Sequence, residues 1–355
     1  MKRFGTNKDL VLDNFGRQVR LFEHIQKLGN EVDFLCMDYK KYESRQVKKN
    51  SVGYYIEPFR KTSPGKFLKK LNQLLKSKKY DFVVASTSPI LGVIGYYYAK
   101  KHKVKFVYDL QDAFDVYDEY KIPFVKNADK YVTRKADLVI CVSNTLKGRI
   151  SKFRKMSAVV IQNGIENHLF MKLDKAKCRK DLKLPLEKKI IVYIGHLAKL
   201  KGFETMAEAF NIVQKKYPNT ILFLSGQIDK GINIKQRNII YDALPERKNV
   251  VKAINSADVA IIPNPVNCFT EYSFPYKLVE YMACEVPIVA TEVGDVKILL
   301  KNYKGSLCKP DDAKDLAEKI TEKFKVCSRI RYKESSSFDW KVLATRLNKI
   351  LMQRL

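Results

Sequence analysis

The chain has 355 residues, 46% of them hydrophobic, and a formal net charge of +29. This length holds two domains with proper cores, the composition excludes a disordered chain, and the lack of any apolar run of about 20 residues excludes a membrane-spanning helix. Seven cysteines without a CxxC pair speak against a disulfide framework or a zinc site and suit a reducing cytoplasm. The start, "MKRFGTNKDLVLDNFG", has no apolar signal-peptide core.

The predicted elements alternate. Helix "GRQVRLFEHIQKLG" leads into strand "NEVDFLCMDY". Helix "GKFLKKLNQLLKSKK", strand "DFVVAST", helix "ILGVIGYYYAKKH", strand "KFVYDL", helix "VKNADKYVTRKA", strand "DLVICVS" and helix "NTLKGRISKF" follow. The strands are near-continuous apolar runs, as parallel strands covered on both faces should be. A turn at "SAVVIQNGIENHLF" precedes a second round. It runs through strand "KKIIVYIG", helix "FETMAEAFNIVQKKYP", strand "TILFLSG", helix "KNVVKAINSA", strand "DVAIIP", helix "PYKLVEYMAC" and strand "VPIVAT". The pattern predicts two consecutive doubly wound α/β units. A doubly wound unit normally opens on a buried strand. Here only "DLVL" precedes the first helix, so the first strand is either short or missing.

The basic excess is spread along the chain, +17 over residues 1–165 and +12 over 166–355. Attraction to anionic lipid, binding of nucleic acid and a plain lysine-rich solvated surface all fit such an excess. No aromatic-interleaved basic motif supports nucleic acid, and none is expected as a partner.

Nine stretches in register resemble the retaining GT-B glycosyltransferases of the GT4 type, the glycosyl transferases of group 1. They are "GRQVRLFEHIQKLGNEVDFL", "YDLQDAF", "KADLVICVSNTLK", "IQNGIENHLF", "IVYIGHLAKLKGFETMAEAF", "LFLSG", "SADVAIIP", "FPYKLVEYMACEVPIVATEVG" and "FDWKVLATRLNKIL". The resemblance covers nearly the whole chain. It implies two Rossmann-like domains facing a cleft: an acceptor domain over 1–165, a donor domain over 166–335, and a C-terminal helix, 336–355, crossing back to the first. It also implies transfer of a sugar from a nucleotide-diphosphate-sugar donor to a glycan or lipid-linked acceptor, with retention and with neither cofactor nor catalytic metal. A GT-B-like sugar-nucleotide epimerase and a non-catalytic basic binding protein remain as alternatives.

In the family's Glu-x7-Glu signature the second acid resembles Glu280, implied to hold the donor ribose hydroxyls. A carboxylate can accept from two vicinal hydroxyls, and one set in the apolar stretch "LVEYMA" needs a partner or water. The ordinary alternative is an i,i+3 pair with Lys277, worth about 0.2–0.5 kcal/mol. The backbone at Pro275, Tyr276, Lys277 and Leu278, where Pro suits the first helical turn, is a candidate diphosphate cradle. The first acid departs from the pattern. Tyr272 stands eight residues before Glu280 and Glu271 nine before. Either a one-residue loop insertion restores Glu271 to the family's catalytic position beside the transferred sugar, which is the reading taken, or the role is lost and Tyr272 or backbone amides substitute.

In "GHLAKLKGF" the family's Arg place holds His196 and its Lys place holds Lys201. A cation there offsets the charge that builds on the leaving diphosphate. His196 cannot offer a bidentate fork, and Lys199 is the nearest compensating cation. Gly226, closing "LFLSG", is a further donor-side position. In "QDAF", Asp112 matches the family's acid near the reacting carbon, with Gln111 before it and Asp109 read as a strand-end residue. None of His24, His102, His168 or His196 falls at that point. Gly16 matches the N-terminal glycine turn, and Ser86 and Ser88 end a strand on the acceptor side.

In "GKFLKKLNQLLKSKKYDF", Phe67, Leu68, Leu71, Leu74 and Leu75 share one helical face, flanked by Lys66, Lys69, Lys70, Lys76 and Lys78. The face reads as core-packed and the lysines as a rim. The rim predicts a peripheral, salt-sensitive association with an anionic membrane on its cytoplasmic side.

Overall fold

In the computed structural model, residues 10–11, 16–39, 41–49, 51–59, 64–326 and 328–354 are described. The chain divides into two units. One comprises Met1–Val142, Lys147–Gln162 and Trp340–Leu355, the other Ser143–Leu146 and Asn163–Asp339.

In the first unit, helix α1 (Arg17–Gln26) turns Val19, Leu21, Phe22 and Ile25 inward. Strands β1 (Asp33–Asp38), β2 (Arg45–Lys49) and β3 (Val52–Pro58) form a sheet in the order β1-β3-β2. β1 and β3 are parallel, with Phe34 opposite Tyr54, and β2 pairs antiparallel with β3. The antiparallel β2–β3 pair is absent from the sequence reading. β2 is an edge strand of sequence RQVKK, and a lysine-bearing edge carries no continuous apolar run.

Helix α2 (Gly65–Ser77) packs on β3 and buries Phe67 and Leu74. Next come β4 (Phe82–Ser86), α3 (Pro89–Lys101), β5 (Lys105–Leu110), α4 (Val125–Lys135), β6 (Leu138–Cys141), α5 (Asn144–Ser151) and β7 (Val159–Val160). Their strands make a parallel sheet in the order β4-β5-β6-β7. The "DLVL" segment lies partly outside the described residues. Leu10 and Val11, which are described, form a turn and are buried.

The second unit holds α6 (Lys175–Asp181), β8 (Lys189–Ile194), α7 (Phe203–Lys216), β9 (Thr220–Ser225), β10 (Ile239–Tyr241) and α8 (Arg247–Ser256). It continues through β11 (Val259–Ile262), α9 (Cys268–Tyr272), α10 (Tyr276–Ala283), β12 (Ile288–Thr291), α11 (Gly294–Leu300), β13 (Leu307–Cys308) and α12 (Ala313–Lys325). Six parallel strands run in the order β10-β9-β8-β11-β12-β13. Ile191, Leu222, Leu224, Val259 and Ile261 of the strands meet Met206, Phe210 and Leu316 of α7 and α12 in one core. Each such side chain contributes about 1.5–3 kcal/mol on burial. The last helix, α13 (Trp340–Met352), belongs to the first unit and packs against α1, where Asn30 donates to Asn348 Oδ1 at 3.0 Å.

Candidate functional site

The carboxyl ends of β8 and β9 come together in the second unit, where ligands of open α/β sheets bind. Gly195 N–H donates to Ser225 O (2.8 Å), and a Cβ on Gly226 would stand 2.1 Å from Gly195 O. Gly226, at φ 129°, therefore has to be glycine. Leu197 N–H continues the pairing to Gln227 O at 2.7 Å. The contact leaves bare backbone at the strand ends, with the Lys277 ammonium against Gly195.

Helix α10 stands over this floor. Leu278, Val279, Tyr281 and Met282 are buried, and Glu280 is the half-exposed acid among them. Tyr281 reaches back so that its hydroxyl accepts from Ile194 N–H at 2.8 Å, which fixes the end of β8 to α10. The helix begins at Tyr276 with Pro275 as its N-cap, one position later than the sequence suggests. Pro275 has no N–H and Leu278 N–H donates to Pro275 O at 3.2 Å, so the backbone cradle expected over Pro275–Leu278 does not have Leu278 to offer.

Lys277 is half-buried, and its ammonium packs on an aromatic ring. It stands 3.6 Å from the centre of the Tyr193 ring. Among the described residues it makes no ion pair, so the Lys277–Glu280 pair is not what holds it. Burial pushes its pKa well below the ordinary 10.5, the Lys201 charge pushes the same way, and Glu280 opposes both. Lys201 ends the turn Lys199–Lys201 and sets its own ammonium 3.6 Å over the Phe269 ring. Gly202 closes that turn at φ 80°, where a Cβ would strike Pro263 O.

His196 is engaged elsewhere. Its Nε2 lies 2.6 Å from Asp229 Oδ1 on the surface. The Lys199 ammonium pairs with Glu204 at 2.8 Å in solvent. Glu271 sits in α9, whose start carries a capping box between Asn267 and Thr270. Its Oε2 accepts from Gly294 N–H at 3.2 Å and so secures the start of α11. Its carbonyl accepts from Thr145 Oγ1 at 2.6 Å, and the Tyr272 carbonyl accepts from Ser143 Oγ at 2.7 Å. The Glu271 carboxylate thus has a structural partner that the sequence did not suggest.

Asn163, the turn residue of "IQNG", does more than turn the chain. Its side chain donates to Phe274 O at 2.7 Å and anchors the peptide that enters α10. The Asn-Gly pair within "IQNG" was the available signal.

In the first unit, Gly16 takes φ 107° at the start of α1. Arg17 is 1% exposed and Asp109 0%, and they pair at 3.1 Å. Ser86 Oγ donates to Asp109 Oδ2 (2.9 Å), and Gln111 Nε2 donates to Ser86 Oγ (2.6 Å) and to Gln18 Oε1 (3.0 Å). Ser86 and Gln111 are therefore parts of an internal network, and Asp109 is its centre. Asp112, also buried, lies beyond that network and accepts from Tyr117 OH at 2.8 Å. Ser88 Oγ lies 3.5 Å from Glu119 Oε1.

Comparison with known proteins agrees with this architecture. The family "Glycosyltransferase Family 4" matches residues 18–168, and "Glycosyl transferases group 1" matches residues 174–326. The chain is 25% identical to the putative teichuronic acid biosynthesis glycosyltransferase TuaC of Bacillus subtilis, over 84% of this chain and 82% of the relative. It is 25% identical to the capsular polysaccharide biosynthesis glycosyltransferase CapM of Staphylococcus aureus, over 93% of each. Among solved structures it is similar to sucrose-phosphate synthase from Thermosynechococcus elongatus (TM-score 0.76, 17% identity, 95% of this chain and 93% of that one). It is also similar to Anabaena HepE in complex with UDP-glucose (TM-score 0.71, 16% identity, 91% of this chain and 100% of that one). With both halves matched in order and two Rossmann-like α/β units in the structure, the chain is a GT-B glycosyltransferase of the GT4-type, group 1 family.

Proposed function

We propose that the second unit binds a nucleotide-diphosphate sugar and that the enzyme passes the sugar, with retention, to a glycan or lipid-linked acceptor. The observation that carries this is the group assembled over the β8 and β9 ends. Glu280 stands for ribose hydroxyls, Lys201 for diphosphate, and the Gly195–Gly226 floor admits a ligand close to backbone. Lysine countercharge is the reason the reading includes no catalytic metal. HepE's complex with UDP-glucose favours a UDP-sugar, and the relatives in teichuronic acid and capsule synthesis favour a growing glycan as acceptor.

Asp112 is assigned to the reacting carbon. Wild type and Asp112→Asn are to be assayed with UDP-, GDP- and ADP-sugars in a chelator-containing buffer. One donor class should stabilise both proteins by about 2.7 kcal/mol at 100 times its Kd, a Tm rise of several degrees. Transfer by Asp112→Asn should fall on the order of 10²-fold. No thermal shift with any donor defeats the donor reading, and equal turnover removes Asp112 from the chemistry.

The reading extends to work at an anionic membrane, and a surface beside the expected lysine rim of α2 supports it. The apolar face of α2 is turned inward, Lys70 lies over the Tyr55 ring, and Lys78 pairs with Asp33. A better surface lies on α3 and α4. Tyr97, Tyr131 and Phe124 are 60%, 52% and 83% exposed. Tyr97 and Tyr131 line a groove of about 390 Å³ with Val93, Tyr96 and Val132, Lys100 and Lys101 stand at its side, and Phe124 caps the start of α4. Exposed aromatics suit the headgroup level, and each lysine near an anionic leaflet adds about 1 kcal/mol. Sedimentation with phosphatidylserine vesicles at low salt should pull the protein down, and Phe124→Ser with Tyr131→Ser should weaken this. Protein left in the supernatant defeats the membrane reading.

A further inference from the structure

We propose that the Lys277 side chain is the second cation of the diphosphate site, occupying the role that His196 leaves open, so that Gly195, Lys201 and Lys277 form one anion cradle. The inference rests on the donor reading above and deepens it. Three observations point the same way.

The first is the absence of an anion. A half-buried lysine normally pairs with a carboxylate, because an ammonium that gives up part of its hydration needs a countercharge. Lys277 has none among the described residues. It rests on Tyr193, as Lys201 rests on Phe269, and the two cations are close enough to act on each other. Aromatic faces steer an ammonium without neutralising it, so the Lys277 charge is left for a third party.

The second is Gly195. It stands at φ 145°, and a Cβ there would lie 2.8 Å from Lys277 Nζ. The missing side chain is the space into which the ammonium points, at the carboxyl end of β8. The third is the fate of the other cations, since His196 is held by Asp229 and Lys199 by Glu204.

The cradle has a proton-linked consequence. The titratable groups facing Lys277 are Tyr193 from β8, Lys201 from the 199–201 turn and Glu280 on its own helix. Burial and Lys201 lower the pKa of the Lys277 amine. An arriving diphosphate raises it again, and the neutral fraction of the amine takes one proton from solvent. No covalent bond changes. Between the depressed pKa of the free protein and the raised pKa of the complex, binding therefore weakens as pH rises, by at most tenfold per pH unit.

The test is calorimetry of UDP, GDP and ADP binding at pH 8 in two buffers of different ionisation enthalpy. At that pH a terminal phosphate, with its last pKa of about 6, is already fully ionised. Wild type should take up protons on binding. Lys277→Met, checked for folding by its thermal melt, should bind about 10–100-fold more weakly and take up none. Lys277→Arg, charged at every pH, should recover affinity over Lys277→Met without proton uptake. Unchanged affinity in Lys277→Met, or equal proton uptake in wild type and Lys277→Met, overturns the assignment and leaves the donor reading standing. Failure of all three nucleotides to bind wild type overturns both.

Discussion

Glu280→Ala is expected to lower nucleotide affinity by about 10²–10⁴-fold while the protein stays folded. The affinity figure follows from two hydrogen bonds to a charged acceptor, each worth about 1.5–3 kcal/mol. Glu280 is half-exposed on a helix whose other central positions are buried, so its removal opens no cavity, and alanine is the best helix former. Glu280→Gln should fall between, because the amide keeps one acceptor and loses the charge. The discriminating ligand is a 2′-deoxynucleoside diphosphate. Wild type should bind the ribose form far better, and Glu280→Ala should scarcely tell the two apart. A variant that retains the preference shows that the ribose is read elsewhere.

The largest effect on stability is expected from Asp109→Ala. Arg17 spends its Nε and Nη2 on Asp109 and its Nη1 on Gln162 O at 2.6 Å, and the Arg17 and Asp109 side chains are both buried. Removing the carboxylate strands a buried guanidinium and unties Ser86 and Gln111. Breaking one side of such a pair costs about 3–5 kcal/mol. Denaturant melts followed by far-UV circular dichroism should show an earlier loss of structure, with Asp109→Asn milder because it keeps an acceptor for Arg17. An unchanged midpoint in Asp109→Ala means that Arg17 has found another partner or water. The α1 start and the ends of β4 and β5 would then be held by packing alone.

Much of the architecture is legible in the sequence because it depends on local patterns. Apolar runs such as "FVVAS" and "KIIVYI" identify parallel strands buried on both faces, and the restart of the alternation marks the second unit. The motif spacing identifies the family, since a Rossmann-like unit places its ligand-binding turns at fixed points after its strands. Charged edge strand β2 escapes the same logic. Helix α12 does not excuse itself so easily, since its Asp312 cap and apolar period were both available.

Partner choice belongs to the tertiary structure. His196 meets Asp229 from 33 residues away, Lys277 turns onto Tyr193 rather than toward Glu280, and the Glu271 carboxylate fastens Gly294. The four residues Ser143–Leu146 join the second unit although the chain on either side belongs to the first. They do so because Asp295 accepts from the amides of Asn144 and Thr145, and the Glu271 and Tyr272 carbonyls accept from Thr145 and Ser143. Sequence spacing says which residues share a helix face or a strand end. It does not say which distant group will satisfy a buried donor or carboxylate, because that is decided by whichever one the packed strands bring within about 3 Å.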